Sequence, residues 1–248
     1  MDFIVLKKRC QASSNSADMN DPALTQHTSA SVEDYLKAIW EVAGSDPAST
    51  RDVARRLSVA AASVTNMFVR LREMRLVEYE RYHGATLTET GRAEALRLVR
   101  RHRLIETFLL KHLAYSWEEV HEEAERLEHA VSDGYTERLA EFLGHPSRDP
   151  HGAPIPAADS IFEPDDSSPL NVAEAGEIVL ISRVVHRNAE ALAYLGENGL
   201  VPGRLLKVKE VRGLDGVVTV EDEDGSSHSL GSLLASTIFV HAPSVEGD

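Results

Sequence analysis

Cysteine is nearly absent from this sequence. Cys10 is the only one among 248 residues, so neither an intrachain disulfide framework nor a thiolate metal cage can be built, and any metal must be held by oxygen and nitrogen. Long hydrophobic runs are missing too. No stretch of about 18 or more uncharged apolar residues occurs, and the short apolar opening from Met1 to Arg9 lacks a small-residue cleavage site. A cytoplasmic protein with no membrane partner is expected. Positive charge is also scarce, with 26 Lys and Arg against 40 Asp and Glu and a formal net charge of −14. Taken alone, that deficit argues against a nucleic-acid binder, because phosphate attracts basic surfaces.

The average conceals a partition. Residues 51–103 carry twelve arginines and six acids, a local balance of +6, whereas residues 104–141 carry three basic and ten acidic residues, a balance of −7. One segment suits phosphate and the next suits cations. With 42% hydrophobic residues, the chain can bury a core in each of two or three small domains.

Residues 1–28 are rich in Ser, Asn, Asp, Gln and Thr without a helical or strand period, which predicts a disordered leader, with Met19 an alternative start. Residues 29–93 read as a winged helix-turn-helix. Ser31 and Asp34 offer a capping box for a first helix, and Thr50 caps a short second helix through Leu57. A third helix runs from about Ala61 to Met74, and two short strands, Leu76 to Tyr79 and Ala85 to Leu87, turn through His83 and Gly84. Residues 94–143 form a helical block: a long helix from Thr88 to about His112, a helix opened by the Ser116 to Glu119 capping box and running to about Val131, and a helix from Ser132 to Phe142. Six of the ten prolines fall between Gly144 and Pro169, so residues 144–169 read as an extended linker. Residues 170–243 change to a strand period, with strands at 177–185, 205–211, 217–221 and 237–241 and one helix at 189–195, which predicts a small SH3-like β-barrel. The fold class is therefore α+β.

A recognition helix needs small or hydrogen-bonding residues at its start so that its backbone can approach base edges. The run from Ala60 to Asn66 meets this, with Ser63, Thr65 and Asn66 as base or phosphate contacts, Arg70 and Arg72 further along, and Arg81 at the wing tip beside His83. On a helix, residues three and four apart share a face. His121, Glu125, Glu128 and His129 therefore form one stripe, and His102 with Glu106 forms a second on the long helix. Facing stripes of this kind offer oxygen and nitrogen donors suited to an octahedral divalent ion.

The segments Val32 to Trp40, Ser63-Val64-Thr65, Leu87 to Gly91, Arg101 to Glu106 and His121 to His129, with the linker piece Gly152 to Pro156, resemble the diphtheria toxin repressor family, which includes the manganese transport regulators. The resemblance is strong over about residues 31–161. It is looser over the last domain, which is similar to an iron-transport-A (FeoA) type SH3-like module around Leu195-Gly196 and Leu200 to Gly203. It implies a homodimeric repressor that binds a palindromic double-stranded DNA operator and controls metal-uptake genes. It also implies a primary activating site of Asp34, Glu125, Glu128 and His129. The iron-type branch has Met and Cys at the positions of Asp34 and Glu125, so manganese(II) is the expected co-repressor, with iron(II) able to substitute. His102, Glu106 and His121 match an ancillary site, completed in three-domain members from the SH3-like module, where Glu190, with His186 one turn earlier, is the expected donor. Lys37 stands where the manganese branch uses Glu in a paired-metal arrangement, which favours two separate sites.

Two mechanical expectations follow. Without metal the acidic stripe should repel itself and leave helix one free, and Glu128→Ala or His129→Ala should leave metal-free stability unchanged or slightly raised. Two other readings fit the sequence less well. A carboxylate-bridged di-iron enzyme needs Glu-x-x-His on each of two helices, and only Glu118 to His121 fits. A winged-helix sensor of an organic ligand leaves the His and Glu spacing unexplained.

Overall fold

The computed structural model describes residues 29–43, 46–159, 162, 165–185 and 188–243. Cys10, Met19, the leader and His186 lie outside the described residues. Three hydrophobic cores follow one another along the chain. The first is built by α1 (Ala30–Val42), α2 (Thr50–Leu57), α3 (Ala61–Glu73) and the hairpin β1 (Val77–Glu80) and β2 (Gly84–Leu87). In α1, Val32, Leu36 and Ile39 recur at helical spacing and are fully buried, which sets the opposite edge of the helix, with Glu33 and Asp34, toward the next domain.

Two helix starts differ from the expected ones. The cap of α1 is Ser29, whose carbonyl accepts from Val32 N and Glu33 N at 2.7 and 3.1 Å. The cap of α2 is Ser49, whose hydroxyl accepts from Asp52 N. In each case the extended residue that ends the preceding loop takes the capping role, and the neighbouring Ser31 or Thr50 is already inside the helix.

The long α4 (Glu89–Leu113) joins the first core to the second. Thr88 caps it by accepting from Gly91 N at 3.1 Å and donates to Arg75 O at 2.9 Å. A Cβ on Gly91 would lie 1.9 Å from Leu76 O, so glycine alone lets α4 press against the strand entry at this point. Further along, Leu104, Ile105 and Leu109 pack with Val120 and Ala124 of α5 (Val120–Leu127) and with Leu139 and Ala140 of α6 (Asp133–Phe142).

α5 is shorter than its pattern suggests at both ends. Ser116 and Glu119 make the expected reciprocal contact, Ser116 N and Oγ donating to Glu119 Oε2 at 2.9 and 2.8 Å, but the helix begins only at Val120. It stops at Leu127 because Arg101 takes the Glu128 carbonyl at 2.8 Å, an oxygen that a continuing helix would offer to a later N–H.

The third core lies under a six-stranded antiparallel sheet of order β3-β8-β4-β5-β6-β7. Its strands are β3 (Ser168–Pro169), β4 (Ile178–Val184), β5 (Leu205–Val211), β6 (Val218–Asp222), β7 (Ser227–Leu230) and β8 (Ile238–His241), with α7 (Ala189–Glu197) and the one-turn α8 (Ser232–Ala235). Register shifts at Ile181/Arg183 and Val208/Glu210 bend the sheet over its core.

Part of the proline-rich segment is packed rather than extended. His151 and Gly152 are buried, and the Asp149 carboxylate accepts from His151 N and Ala153 N, both at 2.9 Å, to close a tight strap. His151 O accepts from Val184 N of β4 at 2.8 Å. Among the described residues no helix is long and apolar enough to cross a membrane.

Candidate metal centre and DNA-reading surface

α4, α5 and the turn after α5 place six of the expected metal-binding residues in one chain of polar contacts. His102 sits at its middle, 5% exposed, with Nδ1 2.6 Å from Glu128 Oε2 and Nε2 2.8 Å from Glu106 Oε1. His121 Nδ1 lies 2.9 Å from the same Glu106 oxygen, and its Nε2 lies 3.4 Å from Glu125 Oε1. At the other end, His129 Nε2 lies 2.9 Å from Asp34 Oδ1 and 3.7 Å from Glu128 Oε1. His102 thus touches both halves and links them by hydrogen bonds.

Three groups in this network bring ligand atoms within 4.8 Å of one another: Asp34, Glu128 and His129; His102, Glu106 and His121; and Glu106, Asp149 and His151. Carboxylate oxygens and imidazole nitrogens without sulfur suit a hard to borderline divalent ion, so the donor chemistry fits the metal the residues imply. Glu125 joins none of these groups. Its carboxylate faces His121 and Arg56, the latter at 3.8 Å. Glu190 also joins none, lying exposed in the first turn of α7, where its N–H donates to the Asn188 cap at 2.8 Å.

Hydrogen bonds to Asp34 and then Glu33 push His129 up to about 10 against the cost of its burial. Burial disfavours charge on His121, but its bonds to Glu106 and Glu125 win and hold it near 9. The His121 bond brings Glu125 down to about 2. Burial works against ionising Glu106 and Glu128, yet His102 lowers both, joined at Glu128 by Lys37. Asp149 moves the other way, up to about 6, through burial and then repulsion from Glu106. A metal ligated by either raised histidine would have to displace its proton.

The expected self-repulsion of the acidic stripe is absent because its acids have cations beside them. Lys37, 5% exposed, donates to both Glu128 oxygens at 2.9 and 2.8 Å. α1 is accordingly not free but packed, contributing Val32, Leu36 and Ile39 to the first core.

Several members of the network were not singled out by spacing. The Glu33 carboxylate lies 2.6 Å from His129 Nδ1 and accepts from it. His151 bonds the Trp117 carbonyl at 3.0 Å and approaches Glu106 at 4.0 Å, while Asp149 pairs with Arg103 at 3.4 Å. The Asp149-Pro150-His151-Gly152 sequence did hold a signal, two ligand-type residues flanking a proline and followed by a turn glycine.

On the winged helix, Ala60 to Ser63 and Asn66 are exposed at the start of α3, and Arg70 and Arg72 are exposed further along. Thr65 is half-buried and its hydroxyl donates to Ala61 O at 3.1 Å. Arg81 stacks over the Tyr82 ring at 5.1 Å, and Tyr82, 90% exposed with φ +71°, forms the wing tip. Spacing alone did not single out Tyr82.

A winged helix followed by a helical His and carboxylate centre defines a metal-dependent DNA-binding transcriptional repressor. Family comparison agrees domain by domain. Residues 27–85 match the iron dependent repressor N-terminal DNA binding domain, 88–157 its metal binding and dimerisation domain, and 168–242 the FeoA domain. The chain belongs to the iron-dependent (diphtheria toxin) repressor family. It is 32% identical over 202 residues to the iron-dependent repressor IdeR of Mycobacterium tuberculosis, covering 76% of this chain and 86% of that one. It is 30% identical over 227 residues to the diphtheria toxin repressor of Corynebacterium glutamicum, covering 87% and 96%. Among solved structures, a manganese-dependent transcriptional repressor in complex with manganese shares 38% identity at a TM-score of 0.81, covering 86% of this chain and all of that one.

Proposed function

We propose that this protein is a cytoplasmic, homodimeric repressor of metal-uptake genes that reads a palindromic operator when manganese(II) is bound, with iron(II) able to substitute. The observation that carries the proposal is the Asp34, Glu128 and His129 group, which draws donors from α1 of the DNA-binding domain and from the turn after α5 to within 4.8 Å. A bound divalent ion supplies positive charge shared by both domains. Asp34 then holds α1, and with it the reading head, against α5. Glu125, one turn before Glu128 on the same face, would supply the fourth ligand if its carboxylate exchanged His121 and Arg56 for the ion. Glu106, common to the other two groups, anchors an ancillary ion with His102 and His121, or with Asp149 and His151; the latter choice involves the strap.

The donor set favours manganese because it contains carboxylates and one imidazole and no sulfur, and the solved relative with the 0.81 TM-score contains manganese. The iron-dependent names of other relatives favour iron as the alternative. The di-iron enzyme finds no support, since Glu118 takes part in none of the ligand groups. In a dimer, fixing two reading heads matches half-sites about one helical turn or a multiple apart. Fluorescence anisotropy of an operator-like palindrome, with protein saturated in turn by manganese(II), iron(II) and zinc(II), tests the reading. Manganese and iron should each raise DNA affinity at least about tenfold over metal-stripped protein, a coupling of roughly 1.4 kcal/mol. Equal DNA affinity with and without metal overturns it.

A further inference from the structure

We propose that Lys37 is a built-in competitor for the metal: a tethered cation seated on Glu128 that an incoming ion must displace, with Arg56 playing the same part more weakly at Glu125. The inference rests on the reading of Glu128 and Glu125 as metal ligands. Its own basis is the position of two cations that the DNA-binding domain contributes. Lys37 projects from α1 and holds both Glu128 oxygens, at 2.9 and 2.8 Å, with its Nζ 3.1 Å from His102 Nδ1. The lysine and glutamate side chains are 6% and 2% exposed. Arg56 projects from α2, pairs with Glu41, and lies 3.8 Å from Glu125 Oε1 with its side chain 14% exposed.

A buried ion pair persists because each charge is stranded without the other. Glu128 is therefore committed to a cation at all times, and the choice lies between the ammonium and the metal. Both cannot hold the same pair of oxygens from one side. The ammonium also lies against both Glu128 and His102, which touch each other at 2.6 Å, so a second ion bridging those two ligands would have to displace it, which limits this half of the network to a single ion. Neither effect involves a change of protonation. The metal concentration that fixes the reading head is set by the difference between metal and lysine at Glu128, and the residue at position 37 tunes that threshold.

Manganese(II) titrations of metal-stripped protein by calorimetry, without DNA, test the proposal, and thermal unfolding gives an independent readout. Lys37→Met keeps the length of the side chain and removes its charge. It should tighten manganese binding at least about tenfold, a gain of roughly 1.4 kcal/mol, while lowering the Tm of the stripped protein and enlarging the rise in Tm on adding metal. Lys37→Arg should bind manganese within about threefold of the unchanged protein, because the cation is kept. Should Lys37→Met fail to fold without metal, Arg56→Gln provides the second measurement, with a gain of about two- to fivefold expected for a partly exposed pair. Unchanged or weaker manganese binding in Lys37→Met, or in Arg56→Gln where that variant stands in, overturns the competition. The proposed function fails by a different result, metal-independent DNA binding by the unchanged protein, so the two failures are distinct.

Discussion

His129 Nε2 lies 2.9 Å from Asp34 Oδ1, a contact across 95 positions that joins α1 of the DNA-binding domain to the turn after α5. The same turn carries Glu128, whose oxygens hold Lys37 of α1. Two side chains of one helix therefore meet two neighbours on one turn, and the pairs differ in burial. His129 is 21% exposed and Asp34 44%, whereas Lys37 and Glu128 are nearly enclosed.

That difference separates two mutations that the sequence pattern treats alike. Glu128→Ala strands the Lys37 ammonium in a buried position, and breaking such a pair costs about 3–5 kcal/mol. His129→Ala removes charge-assisted hydrogen bonds at a partly exposed site, costing about 1–3 kcal/mol. Both should abolish activation of DNA binding by metal. Thermal unfolding of metal-stripped protein should show a larger fall in Tm for Glu128→Ala, and equal or raised Tm values for both variants would restore the picture of a self-repelling stripe.

The same contacts make metal binding depend on pH. His129 and His121 stand at about 10 and about 9, above the ordinary histidine value of 6.5. For a raised pKa the stabilising effect is fully present below about 6.5 and is lost progressively as pH rises to the folded value, so metal-stripped protein should lose stability from about pH 6.5 up to about 9 for His121 and about 10 for His129. Ligation requires the neutral ring, so manganese binding at pH 7.5 should release about two protons and tighten as pH rises. Calorimetry in buffers of different ionisation enthalpy counts those protons, and no release would show that neither histidine ligates.

The extent to which the sequence disclosed this arrangement depends on the range of each interaction. The helical block and the wing were legible because Leu104, Ile105 and Leu109, or Val77 and Tyr79, repeat with the period of their own element. The stripe of His121, Glu125, Glu128 and His129 was legible for the same reason, although α5 ends at Leu127 and Arg101 holds the turn that follows. β3, β7 and α8 were not, since two to four residues such as Ser227 to Leu230 carry too short a pattern. The role of Lys37 was not legible either: its partner is 91 positions away, and only packing of α1 against α4, beside the turn after α5, turns an expected repulsion into a pair. The strap was hidden by its prolines, which signal a linker whether or not the segment is packed.

Gly152 controls how that strap meets the SH3-like module. Its φ is +86°, and a Cβ there would lie 2.1 Å from Ser182 O and 2.9 Å from Arg183 Cα of β4. Gly152→Ala is therefore both strained and obstructed, and should cost more than about 1 kcal/mol. Trp117 packs against the core of the module and donates through Nε1 to Pro150 O at 2.9 Å, so its fluorescence should shift to the red as the strap loosens. An unchanged spectrum and Tm would show that the strap does not locate the module. Deleting the residues after about Leu170 should leave a dimer and weaken the ancillary site more than the primary one. A monomer on light scattering would move the dimer contact into the deleted domain.

The DNA surface makes the last prediction, which concerns how the contacts divide between phosphate and base. Arg70, Arg72 and Arg81 are exposed on or beside the reading helix, and Arg81 lies over the Tyr82 ring at the wing tip. A guanidinium there is placed to meet backbone phosphate, which carries no sequence information. Ser63 and Asn66, exposed near the start of α3, are short enough to meet base edges. Arg81→Ala should weaken operator and unrelated DNA alike, and should reduce the slope of log affinity against log salt by about one per subunit. Asn66→Ala should leave that slope unchanged and cost about 1–3 kcal/mol on the operator alone. Anisotropy titrations of metal-loaded protein at several salt concentrations, on operator and scrambled duplexes, separate the two. If Arg81→Ala changes operator preference without changing the salt slope, the wing reads bases and the division between helix and wing is wrong.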